Sequence, residues 1–266
     1  MIINKITRKS HAWNEDRFII GKDYYIVIDG ATPLIKKEDV NLACLMVKYI
    51  KENINKYSGR IKNRLEQISN DLYEKLNLDT NDTAYLPSAS LSFVEKIGDE
   101  YHIGIVGDCE VTAFTKDGMI RYFDDSLSKL DNISLTNMIN IAKEKNINII
   151  DARKDIQDIL IKHRRMINQE NGYTAYTLGK GFKLNVREYS LKVDEVKKLY
   201  LYSDGFAQSF TNLQVYKNHQ EMFEQITDIK EEVEKIKERA FSDTLCNQHP
   251  RFKIIDDITV VEIIQS

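Results

Sequence analysis

The chain has 266 residues, and 42% of them are hydrophobic, which is sufficient for a large buried core. Its net charge is −3, from 38 basic and 41 acidic residues, so no excess of positive charge marks nucleic acid as an obligate partner. Cys44, Cys109 and Cys246 are odd in number and widely spaced. They form no C-x-x-C pair, so the sequence suggests neither a disulfide framework nor a structural zinc site, and a reducing compartment fits best.

The first residues, MIINKITRKSHAW, lack the apolar segment of a signal peptide. A membrane-spanning helix needs a run of about 18 apolar residues, and the sequence contains no such run. We therefore expect a soluble, cytoplasmic and monomeric protein without a membrane partner. Because there are only three prolines and 11 glycines, and no linker-like tract or internal repeat, we expect a single domain over residues 1–266.

The hydrophobic pattern alternates along the chain between strand-like and helical spacing. Apolar runs bounded by turn residues predict strands. These lie at 2–7, 17–21, 24–29, 88–97, 100–108, 110–115, 119–123, 173–178, 182–191, 198–203 and 258–264. Apolar residues three and four apart predict helices at 40–54, at 63–78, within 126–170 and at 219–240.

The order of these elements predicts an α+β fold. The strands of 88–123 are separated by the turn signals Gly98-Asp99 and Lys116-Asp117-Gly118, which favour an antiparallel meander over parallel crossovers. Strands in meanders and helices in blocks predict layers of antiparallel sheet covered by helices. The segment 219–240 has its apolar residues in one stripe, so we expect one long helix that faces the core.

Acidic residues stand at the ends of several predicted strands. Asp29 and Gly30 end the apolar run YYIVI, and Asp204 follows KKLYLYS. Asp256 and Asp257 precede the last strand, ITVVEII. Taken singly, each has a structural interpretation: a hairpin turn, a helix cap and a turn before a strand.

Repetition favours a shared role for these acids. Asn14-Glu15-Asp16 adds a further acidic point just before a predicted strand. Carboxylates that converge repel one another unless positive charge lies between them, and hard divalent cations prefer such oxygen ligands. We therefore expect two cations, about 3.5 to 4 Å apart, bridged by a carboxylate and a water. The bridging water would be the nucleophile, and the substrate that suits this arrangement is a phosphate ester.

Six short motifs occur in a familiar order: NED, IVIDGAT, PSASLSF, GIVGDCEVTAF, LYSDGF and DDITVVEI. In this order and spacing they resemble the type 2C (PPM) metal-dependent serine/threonine protein phosphatases. The resemblance extends from Asn14 to about Glu262, nearly the whole chain. Each motif alone is weak, and the six together are a strong joint signal.

The resemblance implies roles for individual residues. Asp29 looks like the aspartate that bridges the two cations, and Gly30 like the residue whose carbonyl binds the second cation. Asp204 and Asp256 look like the remaining ligands of the first cation. Glu15 looks like the further carboxylate at the second cation, and next to it Asp16 looks like the residue that holds metal-bound water.

The resemblance also implies a fold and an activity. The fold is a four-layer α-β-β-α sandwich: two antiparallel sheets face to face, with helices on both outer sides and the cations at one end. The implied activity is hydrolysis of phosphoserine or phosphothreonine on a protein with two Mn²⁺ or Mg²⁺ ions. The implied partner is a phosphorylated protein, such as a serine/threonine kinase or its targets.

Several positions depart from the family pattern. Five residues before Asp16, where many members have a phosphate-binding arginine, stands His11. We retain His11 as a candidate catalytic residue, because a histidine can donate to a phosphate, although it lacks the bidentate fork of arginine. Gln208 replaces an acid associated with a third, weaker cation. Asp124 or Asp125 is a second candidate for that third site, which stays open.

Other residues have simpler interpretations. Asp108, in GDCE where the family commonly has GDS, is interpreted as a structural turn acid. Ser88 and Ser90 are interpreted as strand residues, because no GxSxG motif surrounds them. The basic pair Arg164-Arg165 is interpreted as a solvated helix face, with contact to substrate as the alternative.

Three functions remain open from the sequence. The first is an active protein phosphatase. The second is a catalytically weak or inactive relative that binds phosphorylated partners as a regulator, an interpretation that His11 and Gln208 favour. The third is a phosphatase of the same fold that acts on a small metabolite.

Overall fold

Residues 1–10, 12–35 and 40–265 are described by a computed structural model. In this part of the chain, eleven strands form two antiparallel sheets. The strands are β1 (Ile2–Arg8), β2 (Asp16–Ile20), β3 (Tyr24–Ala31), β4 (Ser88–Ile97), β5 (Glu100–Val106), β6 (Glu110–Thr115), β7 (Met119–Tyr122), β8 (Tyr176–Thr177), β9 (Arg187–Lys192), β10 (Val196–Tyr202) and β11 (Ile258–Ile264).

Sheet A has five strands in the order β1-β11-β10-β6-β7, and sheet B has the order β2-β3-β4-β5-β9, with β8 paired to β4. The first strand, β1, lies at an edge of sheet A, and β2 pairs antiparallel with β3. Both termini of the chain meet in sheet A, where β1 pairs with β11 over its whole length.

The helices of the described residues lie between the strands in blocks. They are α1 (Leu42–Asn53), α2 (Ile61–Lys75), α3 (Ser126–Lys145), α4 (Gln157–Arg164), α5 (Asp204–Ala207), α6 (His219–Gln225) and α7 (Ile229–Phe241). None of them combines the length and the apolar character that a membrane-spanning helix needs.

The alternation of side chains in β3 and β10 explains the four layers. In β3, Tyr25 and Val27 point into the core between the two sheets, whereas Ile26 and Ile28 face α1 and α2. In β10, Leu199 and Leu201 point into the same core between the sheets, and Tyr200 and Tyr202 pack against α6 and α7. Strands that are covered on both faces are apolar throughout, and each buried aliphatic side chain contributes about 1.5 to 3 kcal/mol. The predicted α-β-β-α sandwich is confirmed.

One predicted helix is in fact two. The apolar stripe of 219–240 suggested a single helix, but α6 ends at Gln225 and α7 begins at Ile229. Asp228 caps the start of α7, because its side chain accepts hydrogen bonds from the backbone N–H groups of Lys230 and Glu231. A strong N-cap inside a periodic pattern divided the helix without moving its apolar residues off the core.

The predicted meander over 88–123 is divided between the two sheets. Strands β4 and β5 pair in sheet B, and β6 and β7 pair in sheet A. The chain crosses from one sheet to the other at Gly107-Asp108-Cys109, where Gly107 has φ +67°. The strand predicted at 173–178 is reduced to Tyr176–Thr177, which pairs with the start of β4.

Candidate metal centre

The two sheets bring strand ends together at one end of the sandwich. Asp16 at the start of β2 lies opposite Asp29 near the end of β3 in the antiparallel register. From sheet A, the Ser203 hydroxyl donates a hydrogen bond to Asp16 Oδ2 at 2.8 Å and accepts one from the Thr259 N–H at 3.0 Å. This serine therefore joins the sheets beside the predicted site.

Asp204 is delivered by a tight junction between β10 and β11. It is the first residue of α5, directly after β10. The next residue must be glycine, because a Cβ atom on Gly205 would lie 1.9 Å from the Asp257 carbonyl oxygen. The same close approach keeps the residues before β11, including Asp256, beside Asp204.

Gly30 is required for a similar reason on the other side of the site. Its N–H donates to the Glu15 carbonyl oxygen at 3.1 Å, and a Cβ atom would lie only 2.7 Å from that oxygen. The Glu15 carboxylate accepts hydrogen bonds from Asn41, at 2.7 Å, and from the Thr32 hydroxyl. Glu15 is therefore held in a fixed position next to the end of β3.

Asp257 orders the segment that leads into β2. Its Oδ1 accepts from the backbone N–H and the hydroxyl of Ser10, at 2.6 and 2.8 Å, and its Oδ2 accepts from the Glu15 N–H at 2.6 Å. Three donors of the protein therefore occupy three of the roughly four lone-pair sites of this carboxylate. Asp257 is therefore a positioning residue, and it lines the cleft beside its neighbour Asp256.

The acids of this cluster share a strongly unfavourable electrostatic environment. Burial raises the pKa of Asp16 to about 7, against a lowering effect of the Ser203 hydrogen bond. Burial also raises the pKa of Asp29 well above its usual value, and neighbouring acids add to the shift. For Asp204, burial and then the charge of Asp256 raise the pKa in the same way.

Asp108 belongs to the same cluster, contrary to its interpretation as a structural turn acid alone. Burial raises the pKa of Asp108, and the charge of Asp256 adds to the shift. The charge of Asp108 in turn contributes to the raised pKa of Asp204. It reaches the site because the crossing between β5 and β6 passes this end of the sandwich, a connection that the hairpin signals did not reveal.

These residues fit divalent cations in their chemistry. Asp16 Oδ1 and Asp204 Oδ1 are buried without a hydrogen-bond partner among the described residues, and buried carboxylate oxygens require either a donor or a cation. No three acidic, imidazole or thiol side chains of the described ranges are gathered closely enough to hold a metal ion as they stand. Lys253 lies among these acids, and its ammonium donates to both oxygens of Asp256 at 2.7 and 2.8 Å.

The cluster opens to solvent through a cleft of about 190 Å³. Its walls include Glu15, Asp29, Gly30, Lys253 and Asp256. Trp13 also lies on the wall and is 63% exposed. A larger cleft of about 510 Å³, above Phe210 and Lys217, contains none of the predicted site residues.

The structure thus places the predicted acids at one end of the sandwich, although no three of the described ones are close enough together to hold a metal ion as they stand. The residues at this end differ from the prediction by two additions and one omission. The additions are Asp108 and Lys253. The omission is His11, which lies outside the described residues. Gln208 is buried next to α5, and its side-chain oxygen has no hydrogen-bond partner in the described part of the chain.

Asp124 and Asp125 are engaged elsewhere. Asp124 accepts hydrogen bonds from the Ser126 N–H at 2.8 Å and from Arg187 at 2.9 Å. Asp125 forms an ion pair with Lys129 at 2.8 Å. Neither carboxylate is available as it stands for a third cation.

The structure also shows where the two serines and the two arginines named in the sequence analysis lie. Ser88 and Ser90 lie in β4, as predicted. The two arginines at the end of α4 differ: Arg165 forms an exposed ion pair with Asp82, whereas the Arg164 guanidinium donates to the Thr32 carbonyl at 3.3 Å. Arg164 therefore lies next to the loop that follows β3 and is not a solvated face residue.

No protein-family model and no curated protein matches the sequence. Solved structures of similar fold include the serine/threonine phosphatase Stp1 from Staphylococcus aureus, with a TM-score of 0.56 and 12% identity over 99% of this chain and 94% of that one. The Mycobacterium tuberculosis serine/threonine phosphatase PstP/Ppp has a TM-score of 0.56 and 13% identity over 100% of both chains.

A structure of the PstP catalytic domain contains two manganese ions; its TM-score is 0.55 and its identity 13%, over 98% of this chain and 96% of that one. PppA, a key regulatory component of the type VI secretion system in Pseudomonas aeruginosa, has a TM-score of 0.55 and 11% identity over 98% and 96% of the two chains. At sequence identities this low, the structural similarity establishes the fold and nothing more. The chain therefore has the fold of the bacterial serine/threonine phosphatases, as its resemblance to the type 2C family predicts.

Proposed function

We propose that the protein is a phosphatase that uses two Mn²⁺ or Mg²⁺ ions to hydrolyse phosphoserine or phosphothreonine on a protein. The observation that carries this proposal is the convergence of the buried Asp16 with the half-buried Asp29 and Asp204, three acids with raised pKa values at one end of the sandwich. Such a cluster is electrostatically costly unless it has a cationic partner. The phosphatase fold and the order of the six motifs support the same function.

Each acid has a proposed role. Asp29, Asp204 and Asp256 would hold the first cation, and Asp29 would share the second with Glu15 and the Gly30 carbonyl. When bound, two such cations supply a water nucleophile near neutral pH and neutralise charge on the phosphate. Asp16 is assigned the role that the resemblance implies, holding a metal-bound water; its Oδ1 has no hydrogen-bond partner among the described residues, and the carboxyl is buried and does not line the cleft. His11 is kept as a candidate donor to the phosphate.

We further propose a single catalytic domain over residues 1–266, monomeric and cytoplasmic, with a serine/threonine kinase or its targets as the phosphorylated partner. PppA, one of the proteins of similar fold, is a regulatory component of a secretion system, and regulation by dephosphorylation of a protein agrees with this assignment. The cleft opens to solvent beside the exposed Trp13, which suits a phosphorylated segment of a protein chain.

A regulator that binds phosphorylated partners without turnover is the second candidate. It is favoured by the ion pair of Lys253 with Asp256, which places a cation of the protein's own at a predicted ligand. The two candidates make opposite predictions for turnover in Mn²⁺.

The test is hydrolysis of a phosphothreonine peptide by protein stripped of metal and then titrated with Mn²⁺ or Mg²⁺, alongside Asp204→Asn. We expect turnover that requires the added ion and falls at least about 100-fold in the variant, because a first-cation ligand is lost. A panel of small phosphate esters run in parallel separates a protein phosphatase from a metabolite phosphatase. Binding of the peptide without turnover would favour the regulator.

A further inference from the structure

Lys253 is the basic residue among the described residues that line the acidic cleft. It stands three positions before Asp256, in the segment between α7 and β11, and its ammonium contacts both carboxylate oxygens of that residue, at 2.7 and 2.8 Å. The lysine side chain is 48% exposed, whereas Asp256 is only 17% exposed. The ammonium therefore reaches a largely buried carboxylate from the solvent side of the cleft.

The position of this ammonium determines what Asp256 can do. The Lys253 ammonium occupies one lone pair on each Asp256 oxygen, on the side of the carboxylate that faces both oxygens. A metal ion cannot bind both oxygens from that side while the ammonium is there. The charge of Lys253 also acts on Asp204 and Asp29, so it compensates the cluster as a whole. The Asp257 N–H takes a further lone pair of Oδ1, at 2.9 Å, so a divalent ion that binds Asp256 through both oxygens must take the place of the ammonium.

On the other side of the site, no cation among the described residues lines the cleft, and Arg164, which donates to the Thr32 carbonyl, interacts with Glu15 through its charge. The Glu15 carboxylate is held by the neutral donors Asn41 and Thr32. The Gly30 carbonyl is positioned by the close approach of the Glu15 backbone. A divalent ion that binds Glu15 and Gly30 therefore displaces no charged group from these two residues. At Asp256, in contrast, a divalent ion has to displace the Lys253 ammonium.

We propose that Lys253 is a built-in counter-cation that a divalent ion must displace from Asp256, so that this lysine sets the affinity of the first cation position. The inference rests on the proposed function for the identity of that ion. Lys253 is a positioning residue here, since it acts through Asp256. Its exposed stem allows the ammonium to swing out of the cleft without disturbing the core.

Calorimetric titration of the metal-free protein with Mn²⁺ tests the proposal directly. In Lys253→Met the competing charge is gone and the length of the side chain is retained. We expect Mn²⁺ to bind at least about tenfold more tightly at the weaker of two positions, with the stronger position changed less than about twofold. Lys253→Arg, which keeps the charge, is expected to bind as weakly as the unmodified protein.

The matched control is Lys9→Met. Lys9 also lies near the cleft, where its ammonium contacts the Ala12 carbonyl at 3.5 Å, and the substitution removes the same charge from the protein. It is expected to leave both Mn²⁺ affinities unchanged. An equal increase in Mn²⁺ affinity in Lys9→Met and Lys253→Met would mean that only the net charge of the protein matters, and it would overturn the inference.

A second measurement uses the unmodified protein and does not depend on the folding of a variant. Acetylation of lysines, read by mass spectrometry, is slow for an ammonium held by two hydrogen bonds to a carboxylate. We expect acetylation of Lys253 to increase several-fold when Mn²⁺ is added, with no change at Lys129, which is paired with Asp125 on the surface. An unchanged rate at Lys253 in protein that has bound Mn²⁺ would contradict displacement.

The outcomes separate this inference from the proposed function. Tighter Mn²⁺ binding by Lys253→Met, without hydrolysis by any form of the protein, supports the counter-cation and rejects the phosphatase. Hydrolysis by the unmodified protein, with equal Mn²⁺ affinities in Lys253→Met, supports the phosphatase and rejects the counter-cation. Absence of Mn²⁺ binding in both proteins rejects both.

Discussion

The Asp257 carboxylate accepts a hydrogen bond from the backbone N–H of Glu15 at 2.6 Å. This contact joins the start of the last strand to the segment before the second strand, across the two sheets. Because Glu15 is a proposed ligand and Asp257 follows one, the contact fixes the two sides of the cleft relative to each other. The remaining oxygen of Asp257 holds Ser10.

Asp257→Asn is expected to weaken this connection. An amide can present its oxygen to only one of the two groups, and its NH₂ would then face an N–H of the other. We expect a loss of about 1 to 3 kcal/mol in the free energy of unfolding and a several-fold weaker Mn²⁺ affinity. Urea denaturation and calorimetry measure the two effects. The exposed residue Asp125, replaced by Asn, is the control, and equal losses in both variants would contradict the role given to Asp257.

Gly205→Ala tests the close packing that delivers Asp204. The added Cβ would lie 1.9 Å from the Asp257 carbonyl, so the backbone of α5 or of the segment before β11 must move. We expect a loss of about 2 kcal/mol or more in the free energy of unfolding. Gly179→Ala is the control, since its Cβ would have its nearest neighbour at 3.8 Å. A stability of Gly205→Ala equal to that of the control would show that the junction tolerates a side chain.

The metal-free protein is expected to lose stability as the pH rises. Burial raises the pKa of Asp16 from 3.8 to about 7, so between these values the folded chain binds more protons than the unfolded chain. Stability from this group is then fully present below about pH 4 and is lost as the pH rises through about 7, by up to about 4 kcal/mol.

Asp16→Asn removes this titration. Its unfolding free energy in EDTA is expected to depend less steeply on pH than that of the unmodified protein, and to exceed it at about pH 8. Urea denaturation at several pH values measures both slopes. Parallel slopes for the two proteins would mean that Asp16 is not buried as a protonated acid.

Trp13 is expected to report on the cleft. It is the single tryptophan of the chain, it lies on the cleft wall, and it is 63% exposed. Binding of Mn²⁺ at the cluster should quench its fluorescence, because the ion is paramagnetic and close, whereas Mg²⁺ at the same site should quench it less. Asp29→Asn is expected to remove the saturable part of the Mn²⁺ signal. Quenching that grows linearly with Mn²⁺ in both proteins would indicate collision from solution.

Much of the fold could be predicted from the sequence because hydrophobic period and turn residues act locally. The doubly covered strands β3 and β10 are visible as continuous apolar runs, and the tight turn at Gly98-Asp99 marks the hairpin of β4 and β5. The division of 88–123 between two sheets could not be predicted. Turn residues specify a reversal of the chain, but not which sheet the next strand joins.

The site was predictable to the extent that its acids stand at strand ends. Asp29 and Asp204 were found in this way. Asp108 was missed because a turn acid and a cluster acid look alike until the crossing between sheets is known. Lys253 was missed because its meaning depends on a contact with Asp256, and no spacing rule distinguishes that lysine from a solvated one.

We expect the converging acids to bind two divalent cations, and hydrolysis to depend on both. The most direct measurement titrates Mn²⁺ into metal-free protein and records bound Mn²⁺ and turnover of a phosphothreonine peptide on the same samples, for the unmodified protein and for Asp29→Asn. We expect two bound ions, turnover that rises with occupancy of the second, and loss of both in the variant. Stable folding of Asp29→Asn in EDTA, checked by urea denaturation, excludes unfolding as the cause. Full turnover with no Mn²⁺ bound, or undiminished turnover in Asp29→Asn, would show that hydrolysis does not depend on the two cations.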